Sequence, residues 1–564
     1  MVGEKEFVGI ILSGGTTTEA ACQLLESSER GGIKEGMLLM VESGSRKILA
    51  RVSQVVPYND FYTEGDPWSE ARRKNIPIPE DVARRYEVCK LDLLTEVPRA
   101  EIKNPPQPGD YVIKIDPKVH EKDIFGVSRE DPKYIWFGTL TGYGDAPIPL
   151  YIESIPMHMA IFGVTGSGKS FTTGAFVEKL TNVPVKKSSY ASYPMVIIDA
   201  HGDYVDYVTH VAEGKKLGQI GWIKRYVFPE AYMRLDSRTL GKFIQPIGLN
   251  LDLISQRELA EIIVLFYKGT TEGAELQIDA IDNLLGKMKE DLRYSYNEIL
   301  NPNRHFNKLL ETLEGMKEPE IHSGTKGAVK RALENFTVIE RKHKLLSFKS
   351  DLKEGTFAPD GTIEQVQFVE EITKNGGVAI FDFSADGAPG VDLRTKQLVM
   401  TYLASLLFEQ FTNYKIRRED RYLLFIIEEA QNFCPDKTYP VGSSLAHTKL
   451  SAIATQGRKF GLSLCLISQR PSFVDRIVLS MCNTFFIHRV SPEDVSFVRS
   501  VTGGLPPSLI PKLTNMSQGD LIITGQMNAV PFPLVIHVPL HERQVKHTVG
   551  EIKVCENLAK LRGF

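Results

Sequence analysis

Three short stretches hold residue types whose spacing makes chemistry possible. Gly163-Val164-Thr165-Gly166-Ser167-Gly168-Lys169-Ser170 fits the pattern GxxxxGK[ST] at every position, between the apolar run HMAIF and a helical stretch that opens on Phe171. Glycines let such a loop wrap so that backbone N–H groups and a helix N-terminus face phosphate. Lys169 then reaches the β- and γ-phosphates of ATP, and the Ser170 hydroxyl is placed to ligate Mg2+. Residues 163–171 are therefore expected to bind the nucleotide. The second stretch, Tyr422 to Gln431, is an apolar strand ending in two carboxylates, Glu428 and Glu429. Phosphoryl-transfer hydrolases need one acid near Mg2+ and another that polarises water. Glu428 is assigned the metal side and Glu429 the water; the alternative is two acids settling a helix dipole. The third runs from Gln456 through Gly461 and the strand LSLCLIS to Gln469-Arg470-Pro471. Gln469 is placed to touch the γ-phosphate or the attacking water. An arginine supplied by a neighbouring subunit neutralises transition-state charge in such sites. Arg458 is the first candidate and Arg470 the second, with a surface or capping role open for each.

Strands followed by helices must position these groups. From Met157 onward, apolar runs at 158–163, 195–199, 378–384, 422–427, 462–468, 484–490 and 520–524 alternate with helical stretches, the signature of a parallel α/β sheet. The sheet domain is expected over 151–252 and 347–540. Residues 253–346 interrupt it with helical periodicity and read as an inserted helical bundle. Residues 1–150 carry short apolar runs between turn signals such as SGG and NPPQPGD, which favours a small β-barrel or sandwich. Helical material is expected there at Thr18 to Ser28 and Glu80 to Glu87.

Composition bounds the remaining choices. The 564 residues are 42% apolar, enough for real cores, and 24% charged, which rules out wholesale disorder. Lys plus Arg (67) nearly balances Asp plus Glu (70), so a globally basic coat is excluded but a local basic channel is not. Residues 324–349 hold Lys326, Lys330, Arg331, Arg341, Lys342, Lys344 and Lys349 against Glu334 and Glu340. They read as a solvated helix face or a phosphate-contacting surface. The six scattered cysteines suggest neither a disulfide framework nor a zinc site. No run of 18 apolar residues is present, so no membrane span is expected and the chain reads as cytoplasmic.

GVTGSGKS after IPMHMAIF, the motif IIDAHGDY, the pair in IIEEAQNF, the run GRKFGLSLCLISQRP and the ending GDLIITG resemble the HerA branch of the HerA/FtsK superfamily of DNA-pumping ATPases. The similarity extends over most of the chain. Asp is common in that family where Glu428 stands, and His where Gln431 stands. The resemblance implies a RecA-like P-loop ATPase domain, an N-terminal barrel of the HAS type and a helical bundle. It further implies a homohexamer that grips double-stranded DNA in its channel and works with a NurA-type nuclease in end processing and repair. A ring scaffolding a defence effector, such as a Sir2-like protein, and a conjugation or FtsK-type pump are the alternatives. The tail, 541–564, is expected to fasten the ring rather than serve the nucleotide pocket of its own subunit.

Overall fold

Aliphatic side chains at alternating positions bury one face of a strand and leave the other to solvent. In the N-terminal region six such segments close into a barrel, seen in a computed structural model that describes residues 6–28, 32–59, 62, 69–77, 85–186, 188–235, 242–317, 321–346, 363–439 and 443–546. The barrel strands are β1 (Phe7–Ile11), β2 (Glu19–Leu24), β3 (Leu38–Ser43), β4 (Arg46–Asn59), β5 (Arg85–Val97) and β6 (Tyr111–Lys114). They pair in the order β1-β2-β5-β4-β3-β6, and β6 returns antiparallel to β1. The helix expected at Thr18 to Ser28 is instead β2 followed by one 3-10 turn, Glu26–Ser28. Ala20, Cys22 and Leu24 are buried while Glu19 and Gln23 are exposed, the two-residue period of a half-buried strand. Of the second expected helix, residues 85–87 lie in β5 and 80–84 fall outside the described residues.

The chain forms two compact units. The first comprises residues 1–153, 163–169 and 484–542 and holds the barrel. It also holds an antiparallel set in which Thr484–Ile487, Asp520–Gly525, Leu534–His537 and Thr139–Leu140 pair in that order.

The second unit comprises 154–162, 170–483 and 543–564. Its centre is a parallel sheet built from β7 (Met159–Phe162), β8 (Met195–Asp199), β9 (Ile223–Val227), β10 (Ile244–Pro246), β11 (Val378–Asp382), β12 (Leu423–Ile427) and β13 (Leu462–Ser468). The order is β10-β9-β11-β8-β12-β13-β7, every neighbour parallel. Strands β7, β8, β11, β12 and β13 are buried at every residue, as continuous apolar runs covered on both faces must be. The mixed α/β class with a barrel and a P-loop sheet, expected above, is what the chain adopts. Between β10 and β11 lie helices that include Gln256–Lys268, Glu275–Leu292 and Ser323–Phe336. Part of the basic excess is consumed there: Lys326 donates to the carbonyls of Glu314 and Met316, and Lys330 pairs with Glu314 at 3.1 Å. Lys349 lies outside the described residues.

Candidate active site

Parallel pairing fixes where each candidate residue can be. Met159 to Phe162 of β7 run beside Cys465 to Ser468 of β13, and β13 runs beside β12. The segments leaving the C-terminal ends of these three neighbours are the phosphate-loop sequence, Glu428-Glu429 and Gln469-Arg470. Open parallel sheets bind ligands at that edge.

The loop is built around glycine. Gly166 and Gly168 have φ of 74° and 103°. A Cβ on Gly168 would stand 2.9 Å from the Gly519 nitrogen, and one on Gly163 would stand 2.5 Å from Ser167 Oγ. The loop is pinned by Val164 N–H donating to the Arg489 carbonyl at 2.8 Å and by Gly519 N–H donating to the Ser167 carbonyl at 3.1 Å. Behind it sits His488, whose Nδ1 lies 3.1 Å from the Asp520 carbonyl. Burial, reinforced by the charge of Lys169, pushes that imidazole down to about 3, so it stays neutral. Lys169 Nζ donates to the Val164 carbonyl at 3.2 Å and opens helix α1 (Lys169–Leu180). Ser167 Oγ, Thr172 Oγ1 and Thr173 Oγ1 are buried without a hydrogen-bond partner among the described residues. A buried unpaired hydroxyl is costly and calls for an explanation.

The two glutamates are held differently. Glu428 is 3% exposed; its Oε1 accepts from Tyr204 OH at 3.1 Å and its Oε2 from the Ala200 N–H at 3.0 Å. Burial, with Asp199 and Asp203 nearby, pushes its carboxyl far above the usual range. Glu429 occupies left-handed backbone space, φ 48°, a strained choice for a residue with a Cβ. Its carboxylate accepts from His201 Nε2 at 2.9 Å and from the side-chain amides of Gln469 and Gln431. Burial raises the Glu429 carboxyl, but these donors outweigh it and leave it below its ordinary value. His201 is raised in turn, chiefly by the hydrogen bond to Glu429. Ser468 Oγ donates to Gln431 Oε1 at 2.8 Å, which orients that amide.

The structure thus brings Gln469 onto Glu429 and joins His201 and Tyr204 to the acid pair. Neither of these two was assigned a role from sequence, although both lie in IIDAHGDY, a polar segment ending a buried strand. Arg470 stacks its guanidinium over Phe473, 4.7 Å from the ring centroid. Arg458 is exposed in the last turn of helix α2 (His447–Phe460), which leads into the N-terminal end of β13. That is the sheet edge opposite Glu429, so Arg458 serves a nucleotide site only if the site belongs to another subunit. Of the tail expected at 541–564, residues 541–546 are among the described residues. Gln544 N–H and Val545 N–H donate to Glu178 of α1 at 2.6 and 3.1 Å, so the start of the tail packs on its own subunit's phosphate-loop helix. Residues 547–564 lie outside the described residues.

The His201–Glu429 pair carries a pH signature. Its contribution is fully present between the ordinary glutamate value of 4.5 and the ordinary histidine value of 6.5, and is lost as pH rises through the raised His201 value or falls through the lowered Glu429 value. An NMR titration of the His201 ring should give a midpoint above 6.5, and Glu429→Gln should bring it back down. A midpoint at or below 6.5 in the native protein contradicts the pairing.

Similar proteins are found both by sequence and by structure. Residues 135–407 match the family model described as the central domain of helicase HerA. A DNA double-strand break repair helicase HerA from Sulfurisphaera tokodaii is 24% identical over 548 residues, covering 94% of this chain and 92% of the relative. Another from Saccharolobus solfataricus is 22% identical over 581 residues, covering 99% and 98%. Among solved structures, VirB4 of Thermoanaerobacter pseudethanolicus aligns with a TM-score of 0.47 at 13% identity, over 73% of this chain and 98% of that one. By its central domain and its motifs, the chain is similar to the HerA helicases.

Proposed function

We infer that the chain is an ATP-hydrolysing motor on double-stranded DNA, assembling as a homohexamer and acting with a NurA-type nuclease in DNA end processing and repair. The adjacency of β7, β13 and β12 supports the reading, because the segments that follow these strands in the sequence are the phosphate-loop motif, Gln469 and the acid pair. The relatives named as break-repair helicases support DNA as the track.

Lys169 and the backbone N–H groups of 163–170 hold the β- and γ-phosphates of ATP, and the unpaired hydroxyls of Ser167, Thr172 and Thr173 fit a site meant to be completed by a polar ligand. Oxygen donors suit Mg2+, which such sites hold through few protein ligands plus phosphate; Ser170 and Glu428 would hold it here. Mg2+ held there would neutralise phosphate charge. Glu428 would serve that role as the ionised carboxylate, the form that burial beside Asp199 and Asp203 disfavours. Glu429, kept ionised, orients the attacking water and takes its proton; Gln469 positions that water beside the γ-phosphate. Arg458, on the far edge, reaches a neighbouring subunit's site, and Arg470 is the second candidate.

Light scattering with ATP present should report a hexamer. Its affinity for random-sequence duplex should fall about 10³-fold or more between 50 and 200 mM salt, as neutralising six or more phosphates requires. A monomer at micromolar concentration contradicts the ring, and salt-insensitive binding contradicts the channel.

A further inference from the structure

The nucleotide site has a buried cation that no sequence motif announces. Arg543 comes from the start of the C-terminal tail, yet its side chain is only 3% exposed. Its Nη2 donates to the Asp203 carbonyl at 2.9 Å and its Nη1 to the Ser170 carbonyl at 3.4 Å. The guanidinium lies 5.7 Å from the centroid of Tyr207, and its Nε stands 4.0 Å from Glu178. Tyr207 OH donates to the Gly174 carbonyl at 2.9 Å, closing the slot. Gly174 sits inside α1, where glycine is unfavourable for a helix. The guanidinium explains it: a Cβ there would stand 2.6 Å from Arg543 Cζ.

The two carbonyls matter because of what flanks them. Ser170 follows Lys169 in the first turn of α1, and Asp203 belongs to the loop that presents His201 to Glu429 and Tyr204 to Glu428. One planar fork therefore ties the phosphate-binding turn to the loop that orients both acids, a geometry that a lysine cannot span in the same way. We propose that Arg543 is a positioning residue for the nucleotide site, and that seating the tail in the Gly174 slot sets ATP affinity and turnover within the same subunit. The proposal rests on the ATPase reading above.

A misplacement of about 1 Å at such a site costs as much as ~10²-fold. Arg543→Ala should therefore weaken equilibrium binding of a fluorescent ADP analogue and raise KM for ATP, each by about tenfold or more. Millimolar guanidinium should restore much of both, which a general loss of stability would not permit. Arg543→Lys, which keeps the charge and the buried stem, should fold and show a smaller defect of the same kind. Analogue binding and KM that match the native protein in Arg543→Lys and in any folded Arg543→Ala protein overturn the proposal, as does an affinity defect that guanidinium leaves untouched. A native protein that turns over no ATP overturns the ATPase reading and this inference with it; native turnover with unaffected variants overturns this inference alone.

Discussion

Glu429→Gln is expected to bind ATP about as well as the native protein and to hydrolyse it roughly 10²- to 10⁴-fold more slowly, the range that a positioned general base contributes. The side chain is nearly isosteric, so the phosphate loop and Lys169 are undisturbed. The carboxylate proposed to take the proton is removed, and the donors from His201, Gln469 and Gln431 lose their charged acceptor. Equilibrium nucleotide binding measured beside steady-state turnover separates the two effects. A Glu429→Gln protein that turns over at the native rate would remove Glu429 from its assigned role.

Lys169→Ala should fail in both respects. Removing one preorganised charge aimed at the transferring phosphoryl group costs about 10² to 10³ in rate, and the ground-state phosphate contact is lost as well. The backbone of the loop should persist, because the bonds of Val164 to Arg489 and of Gly519 to Ser167 do not involve the lysine side chain. Circular dichroism and melting temperature should therefore stay near native while ATP affinity and turnover collapse. An unfolded Lys169→Ala protein would point to a structural lysine instead.

How much of this was legible beforehand depended on the range of the interactions. Strands β7, β8, β11, β12 and β13 were readable because fully buried parallel strands are continuous apolar runs bounded by polar residues. Strand β9, IKRYV, was missed because Lys224 and Arg225 break the run. Arg225 is nonetheless buried, its charge met by Asp382 and by Asp386 at 2.7 Å. Strand β2 was misread because Ala20, Ala21 and Leu24 favour helix locally, whereas closing the barrel fixed them as a strand. Within the site, the phosphate loop and the adjacent glutamates are local patterns whose chemistry travels with their spacing. The contacts of His201 with Glu429 and of Arg543 with Ser170 join residues 228 and 373 positions apart. No local pattern encodes such pairs; the glycine at 174, inside an otherwise helical stretch, was the only trace that Arg543 left in the sequence.

ATP turnover of the native protein, measured with and without linear random-sequence duplex DNA at low salt, tests the central claim most directly. A DNA motor predicts Mg2+-dependent turnover that the duplex stimulates several-fold, that rising salt returns to the basal rate as phosphate contacts are lost, and that Lys169→Ala abolishes. Turnover indifferent to duplex at every salt concentration would contradict it.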